Sequence, residues 1–260
     1  MAKKWITGTV TELKPGETRV AIVPSTVKRL LRFGTDVVVQ AGCGRLSGYS
    51  DADYAKAGAT VVSSGEEVLK KVDVLLKVQF NCKKTGDDDV TQLRPGQIIV
   101  AFLNPLVDDK LTSALVKKNV TAFAVEKIPR TARAQAMDAL SSQASIAGYK
   151  AVVWAFEKCP KVIPLMMTAA GKIAPAKVLV VGAGVAGLQA IATAKRLGAI
   201  VYAYDARSVV KEQVQSLGAR FVEINVDESA DGVCRHILDL SPRERLHQVG
   251  VLSGNFWLTK

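Results

Sequence analysis

Residues 177–205 read KVLVV, GAGVAG, LQAIATAKRLGA and IVYAYD, running from Lys177 to Asp205. The pattern is a buried strand, a glycine turn, a helix, a second strand and an acidic residue at that strand's end. Gly182, Gly184 and Gly187 stand at the G-x-G-x-x-G spacing of a dinucleotide-binding turn. The first glycine lets the chain turn out of the strand, the second lets backbone approach a pyrophosphate, and the third lets helix and strand pack closely. The whole turn, Gly182, Ala183, Gly184, Val185, Ala186 and Gly187, is therefore a candidate cofactor cradle, with helix N–H groups and a positive dipole end facing the phosphates. Asp205, Ala206 and Arg207 complete it at about the expected distance, roughly 20 residues on. A carboxylate at 205 accepts from a ribose 2′-hydroxyl and repels a 2′-phosphate, which favours NAD(H) over NADP(H). Arg207 is the one feature that softens this preference.

A membrane span is the competing reading of the same run, because Val178–Ala194 carries no charge. It is 17 residues long and holds three glycines, a glutamine and a threonine, short of the roughly 20 strongly apolar residues a span needs. A span is rejected.

Over the whole chain, 260 residues at 48% hydrophobic composition suffice for one large or two modest domains. The start, MAKKWITGTV, lacks the apolar segment of a signal peptide, which favours the cytoplasm. Cys43, Cys82, Cys159 and Cys234 stand singly with no C-x-x-C spacing, so they read as reduced thiols; no metal site is expected. The net charge of +11 is spread over pairs such as Lys70-Lys71, Lys83-Lys84 and Lys117-Lys118, with acidic residues between and no basic stripe carrying aromatics. Nucleic acid is therefore not an expected partner; a diffusely positive surface suits anionic nucleotides or an acidic partner. Both histidines, His236 and His247, lie near the end of the chain, so the main body offers no histidine base.

Before the glycine turn, strands are predicted at 6–10, 36–40, 60–62, 74–78, 97–101 and 121–124. Helices are predicted after a capping Ser25 and over 51–57, 66–71 and 108–118. This alternation implies a parallel α/β domain covered on both faces. A long helical stretch over 138–156 connects onward; 162–171 is apolar and of open conformation. A helix over 209–217 and a strand at 220–223 follow the turn. The expected organisation is an N-terminal α/β domain at 1–137, a connecting helix and linker at 138–175, the first half of a Rossmann-type domain at 176–232, and a tail at 233–260. A full dinucleotide fold needs a second half, so the Rossmann-type domain is expected to be truncated.

The segments PRTARAQAMDALSSQASIAGYKAV, PLMMTAAGKIAPAKVLVVGAGVAGLQAIATAKRLGA and YDARSVVKEQVQSLGA closely resemble domain I, the NAD(H)-binding domain, of proton-translocating nicotinamide nucleotide transhydrogenase. In bacteria that domain belongs to the α subunit. The resemblance covers about 4–232 and is shared more distantly with alanine dehydrogenase. It implies hydride transfer from NADH to NADP+ on a separate NADP(H)-binding domain III, coupled to proton movement through a membrane domain II. It also implies a homodimer, located as a peripheral domain at the cytoplasmic face of the inner membrane or the mitochondrial matrix side. By motif, the resemblance assigns the nicotinamide surroundings to Arg130, Gln135, Asp138 and Ser141. Arg130 and Asp138 would pair to orient the loop and hold the carboxamide, Gln135 would bridge to the partner nucleotide, and Ser141 would bond the carboxamide. Pattern alone reads these four as a polar loop with Asp138 capping a helix.

Two other readings remain. In alanine dehydrogenases an arginine in a motif like TRVAIVP and a lysine in one like LLKV bind the substrate carboxylate, and Arg19 and Lys77 stand at those places. That family also has a catalytic histidine just after the strand matching QIIVAFL, where this chain has Asn104; loss of such a group costs on the order of 100-fold or more. Arg19 and Lys77 are therefore read as packing or loop-anchoring residues. The remaining reading is a non-catalytic NAD-binding fragment, because from Gly232 the family pattern gives way to DGVCRHILDLSPRERLHQVGVLSGNFWLTK, whose Phe256-Trp257-Leu258 cluster has no evident partner.

Overall fold

The structure is a computed structural model, and it describes residues 4–80, 90–106, 109–223 and 257–258. The charged loop at 83–89, Cys82, Cys234, His236, His247 and the tail apart from 257–258 lie outside the described residues. The chain divides into two units, Met1–Ala139 and Leu140–Lys260.

The first unit alternates strands β1 (Ile6–Thr9), β2 (Asp36–Gln40), β3 (Thr60–Val62), β4 (Val74–Gln79), β5 (Ile98–Phe102) and β6 (Thr121–Ala124) with helices α1 (Pro24–Arg32), α2 (Asp51–Ala57), α3 (Gly65–Lys71) and α4 (Asp109–Lys117). Its sheet runs β3-β2-β1-β4-β5-β6, and every pairing is parallel. The reason is visible in β2, where three successive valines point to alternating faces. Val37 and Val39 pack with Val27 of α1 and Tyr54 of α2. Val38 joins Leu75, Ile99, Val68 of α3 and Leu111 of α4. Both faces are covered by helices, as a continuous apolar strand requires.

Helix starts follow local chemistry. Ser50 Oγ accepts from the Asp53 N–H, and the Asp53 carboxylate accepts from the Ser50 N–H at 2.9 Å, a reciprocal cap for α2. Ser64 caps α3 through the Glu67 N–H at 3.2 Å. Ser25, expected to cap α1, instead lies inside it. Pro24 has its φ preset for a helix and lacks an N–H, so it takes the first helical position and pushes the cap back to Val23.

The second unit contains α5 (Ala139–Lys158), β7 (Met166–Thr168), β8 (Gly171–Ile173), β9 (Lys177–Val181), α6 (Val185–Arg196), β10 (Ile200–Tyr204), α7 (Lys211–Ser216), β11 (Arg220–Phe221) and β12 (Trp257–Leu258). The order β11-β10-β9 is parallel, one mononucleotide-binding half. Its core joins Val178 and Val180 of β9, Val201 and Ala203 of β10, Ile191 and Ala194 of α6, Val214 of α7 and Val152 of α5.

Three expectations change in this unit. The open segment 162–171 yields β7, which pairs with β8 as a hairpin around Ala169-Ala170, Gly171 supplying φ +130°. The expected helix at 209–217 splits into a 3₁₀ turn over Ser208–Val210 and then α7. Trp257 and Leu258 do have a backbone partner: β12 runs antiparallel along the outer edge of β9, opposite Leu179 and Val178.

Candidate dinucleotide site

The glycine turn leaves β9 at Val181 and enters α6 at Val185 within three residues. Gly182 has φ +92°, a left-handed conformation that a side chain resists. Its N–H donates to the Tyr204 carbonyl at 2.7 Å, tying the turn to the end of β10. A Cβ on Gly187 would lie 1.7 Å from the Gly182 carbonyl oxygen, so only glycine lets α6 start this close to the strand. Among the described residues, a Cβ on Gly184 would meet no atom within 4 Å. That open ground over the middle glycine is what close approach of a pyrophosphate requires.

Gly184 is also the N-cap of α6 and brings no capping side chain. Val185, Ala186 and Gly187 form the first turn, whose N–H groups point out of the helix end. No acidic residue lies in that turn, while Lys195 and Arg196 occupy the last one. The helix dipole is thus left uncancelled toward an anion.

Asp205 closes the cradle from β10. Its Oδ2 accepts from the Ala183 N–H at 2.6 Å, so the acidic residue and the glycine turn are held together. Arg207 binds the same carboxylate: its backbone N–H and Nε donate to Oδ1 at 2.9 and 3.1 Å, and Nη2 donates to Oδ2 at 3.2 Å. The Asp205 side chain is 8% exposed and that of Arg207 56%. Burial acts to raise the Asp205 pKa, but the hydrogen bonds from Arg207 and Ala183 outweigh it and hold the carboxyl below its ordinary value. It is an anion at neutral pH. Ala206 is half-buried beside it.

The four residues assigned to the nicotinamide end fall around the start of α5. Arg130 is exposed in the approach to a 3₁₀ turn over Ala132–Met137, Gln135 is exposed within that turn, and Asp138 ends it, half-buried, directly before α5. Ser141, half-buried, lies in the first turn of α5. Gly148, farther along α5, reaches the cradle itself: a Cβ there would lie 2.1 Å from the Ala186 carbonyl oxygen. No periodicity or motif singles out that contact from the sequence.

A second polar cluster gathers at the carboxyl end of β4. Lys77 is wholly buried, its Nζ 4.0 Å from the Glu12 carboxylate, whose own side chain is 2% exposed. Glu12 also accepts from the Val78 and Gln79 N–H groups at 2.7 and 3.2 Å. Arg19 grips Glu17 with Nε at 2.7 Å and Nη2 at 2.6 Å, and this bond holds the Glu17 carboxyl below its ordinary pKa. Lys77 and Arg19 are thus each engaged by a carboxylate of the loop after β1. Asn104 sits just past β5 with φ +47°, a conformation asparagine tolerates better than most residues. Its N–H and that of Leu103 both donate to Glu126. Sequence reasoning passes over Glu12, Glu17 and Glu126, because nothing local marks their partners.

The residues present fit a dinucleotide: an open middle glycine, an uncapped helix start and an ionised carboxylate converge on one turn. Comparison with known proteins agrees. The N-terminal domain of the alanine dehydrogenase/PNT family matches residues 8–147, and its C-terminal domain matches residues 151–241. The chain belongs to the alanine dehydrogenase/PNT family. Within it, the chain is 47% identical over 220 residues to an NAD(P) transhydrogenase subunit alpha polypeptide of Rhodospirillum rubrum, covering 84% of this chain and 57% of that protein. The chain therefore spans rather more than half the length of that relative. Among solved structures, transhydrogenase from Sinorhizobium meliloti superposes with a TM-score of 0.79 at 44% identity, covering 90% of this chain and 67% of that one. An L-alanine dehydrogenase superposes with a TM-score of 0.72 at 25% identity, covering 85% and 61%. The transhydrogenase branch of the family is the nearer of these two. Among the described residues, no helix is long and apolar enough to cross a membrane.

Proposed function

We propose that this chain is the NAD(H)-binding component of a proton-translocating NAD(P) transhydrogenase, in which hydride passes from NADH to NADP+ held on a partner domain. The observation that carries the reading is the Asp205 carboxylate fixed against the glycine turn by the Ala183 N–H at 2.6 Å, in a chain 47% identical to a transhydrogenase α subunit. The bound nucleotide supplies the hydride from its dihydronicotinamide ring. The protein's role is to hold and orient: the α6 N–H groups take the pyrophosphate, and Asp205 accepts from the adenosine ribose. Arg130, Gln135, Asp138 and Ser141 position the carboxamide. Hydride passing between two nicotinamide rings needs apposition rather than an acid or base, so no histidine is required in the site.

The partners in this reading are the membrane domain II and the NADP(H)-binding domain III, with the chain a peripheral domain at the cytoplasmic face of the inner membrane or its matrix equivalent. Residues 138–175 link the N-terminal domain to the nucleotide half at 176–232. A homodimer is supported by large exposed apolar side chains on α5 and the hairpin, among them Tyr149, Trp154, Met166 and Met167.

The test is NADH fluorescence titration of the chain and of Asp205→Ala. The variant should bind about ten- to a hundredfold more weakly, the worth of hydrogen bonds to a charged acceptor; equal affinity would remove Asp205 from the site. Mixing with a purified domain III and following cyclic transhydrogenation then tests the reaction.

A second reading is an alanine dehydrogenase-like enzyme, favoured by the cations Arg19 and Lys77 near the β1–β4 switch point, where open α/β sheets place ligands. Asn104 weighs against it, since moving protons on the amine calls for an acid–base group. Alanine-dependent reduction of NAD would decide for it.

A further inference from the structure

Part of the net charge of +11 is concentrated at one place in the first unit. Helices α1 and α2 lie side by side over β2, Val27 of the one and Tyr54 and Ala57 of the other packing with Val37 and Val39. Between them runs a cleft of about 450 Å³, whose charged lining is Lys28, Arg29 and Arg32 of α1 with Asp53 and Lys56 of α2. All four cations are exposed. The acid is committed to its own helix cap: Asp53 Oδ2 accepts from the Ser50 N–H at 2.9 Å and from the Ser50 hydroxyl at 2.7 Å. The α1 segment PSTVKRLLR holds no acidic residue, and among the described residues none of its three cations is paired with a carboxylate. Helix α3 is arranged in the opposite way, with Lys70 on Glu66 and Lys71 on Glu67, each at 2.6 Å.

Lys28 and Arg32 stand four positions apart and Arg29 and Arg32 three, so like charges crowd one side of α1 and weaken the helix. Helix dipoles account for cations in the last turns, Arg29 and Arg32 in α1 and Lys56 in α2. They do not account for Lys28, or for all four cations lining one cleft. Phe33, the C-cap of α1 directly after Arg32, is 80% exposed, which sets an aromatic ring next to the charges. Arginine and aromatic side chains are those that protein interfaces concentrate. We propose that the α1–α2 cleft is a docking surface for an acidic segment of a partner protein, its carboxylates meeting Lys28, Arg29, Arg32 and Lys56 and an adjoining apolar side chain covering Phe33. The guanidinium forks of Arg29 and Arg32 suit carboxylates through paired N–H donors. Nucleic acid is a poorer match, because a single aromatic ring offers no succession of stacking surfaces for bases. The surface lies wholly within the first unit, and the inference is independent of the dinucleotide reading.

The test is fluorescence anisotropy of a fluorescein-labelled peptide of glutamates around one phenylalanine, titrated with the whole chain at low salt, where exposed charges are least screened. Lys28→Glu combined with Arg32→Glu should weaken binding roughly tenfold or more, and Phe33→Ser roughly threefold. Arg29→Gln, a milder change on the same exposed side of α1, should also weaken it roughly threefold, which keeps the test open if the double reversal fails to fold. Lys110→Glu combined with Lys117→Glu reverses the same amount of charge on exposed positions of α4 and should leave binding unchanged. Equal weakening by the α4 variant would show attraction to net charge alone and overturn the proposal. So would a peptide with glutamine for glutamate that binds as well, or an acidic peptide that does not bind the unsubstituted chain. An oligonucleotide of equal charge that binds more tightly than the peptide would assign the cleft to nucleic acid and overturn it too.

Discussion

Replacing a helix-interior glycine by alanine normally stabilises a protein, by up to about 1 kcal/mol. Gly148→Ala in α5 should do the opposite. The new Cβ would stand 2.1 Å from the Ala186 carbonyl oxygen, with the Ala186 carbonyl carbon at 2.9 Å and its Cα at 3.1 Å. Carbon and oxygen that are not bonded come no nearer than about 3.3 Å, so α5 and the start of α6 must separate by roughly 1 Å. Nothing at the end of a flexible side chain is available to yield, because the obstructing atoms are backbone. The separation also lifts Val152, fully buried one turn along α5, out of contact with the β9–α6 core, and gaps of that size forfeit about a quarter to a half of each contact. Overpacking of this kind costs about 1–3 kcal/mol. Against the propensity gain, the net expectation is a loss of about 1–2 kcal/mol, or roughly 3–10 °C in the unfolding midpoint of the second unit. Ala186 belongs to the first turn of α6, so ADP-ribose affinity should fall together with stability. Calorimetry of the unsubstituted chain and Gly148→Ala, paired with titration, is the assay. A variant as stable as the parent, with unchanged affinity, would show that α5 does not rest on the mouth of the cradle and would refute the reasoning.

Other consequences are open to direct measurement. Burial raises the Cys43 thiol from its ordinary 9.0 to about 11, the Tyr54 hydroxyl partly opposing. The folded state therefore keeps the proton that the unfolded chain releases, and this stabilisation, present below pH 9, is lost as pH rises toward about 11. Urea midpoints across that window should decline less steeply in Cys43→Ala, and identical slopes would contradict the assignment. In the first unit, Glu12→Gln removes the carboxylate beside buried Lys77 and should cost about 3–5 kcal/mol in urea unfolding. Glu12→Gln combined with Lys77→Met keeps an amide oxygen for the Val78 and Gln79 N–H groups and should recover much of that loss; a mild single variant would show that the pair is unimportant to the loop after β1.

What could be read from the chain beforehand was whatever depends on neighbours in sequence. The three valines of β2 and the glycine spacing each encode local geometry, and the strands and helices of the first unit follow within a residue or two. Ser25 misled because two local signals competed and the fixed φ of Pro24 prevailed. The hairpin at β7–β8 was hidden because its strands are three residues each and exposed, leaving no burial pattern to read. The place of Asp205 beside the glycine turn was implied by the motif, but its bonds to the Ala183 N–H and to Arg207 were not, because they are a matter of three-dimensional geometry. Glu12 and Lys77, 65 positions apart in sequence, likewise meet only once β1 and β4 lie side by side. Trp257 and Leu258 escaped for the same reason, their partner strand lying far earlier in the chain.

The two sheets share a strand order on one side of their starting strand, yet their first turns have opposite chemistry, and this argues for where the nucleotide goes. In the first unit β2 and β3 lie on one side of β1 and β4 on the other, the arrangement that opens a crevice at the strand ends. The connection from Thr9 to α1 is long, however, crosses Glu12, Glu17 and Arg19, and enters the helix through Pro24 with no side-chain cap. A proline at the first helical position removes one of the N–H donors that an anion would use. Glu12 and Glu17 are there engaged with Lys77 and Arg19, so the cations at the same strand ends are already matched by carboxylates. In the second unit the connection from Val181 to α6 takes three residues, its middle glycine has no atom of the described residues within 4 Å of a Cβ position, and the first helical turn carries no acid. The turn of the second unit is therefore the better suited of the two to a pyrophosphate. Separate titration of Pro24→Ala and Gly184→Val should bear this out: ADP-ribose binding is expected to be unchanged in the first and lost by at least about tenfold in the second, and a loss confined to Pro24→Ala would move the site to the first sheet.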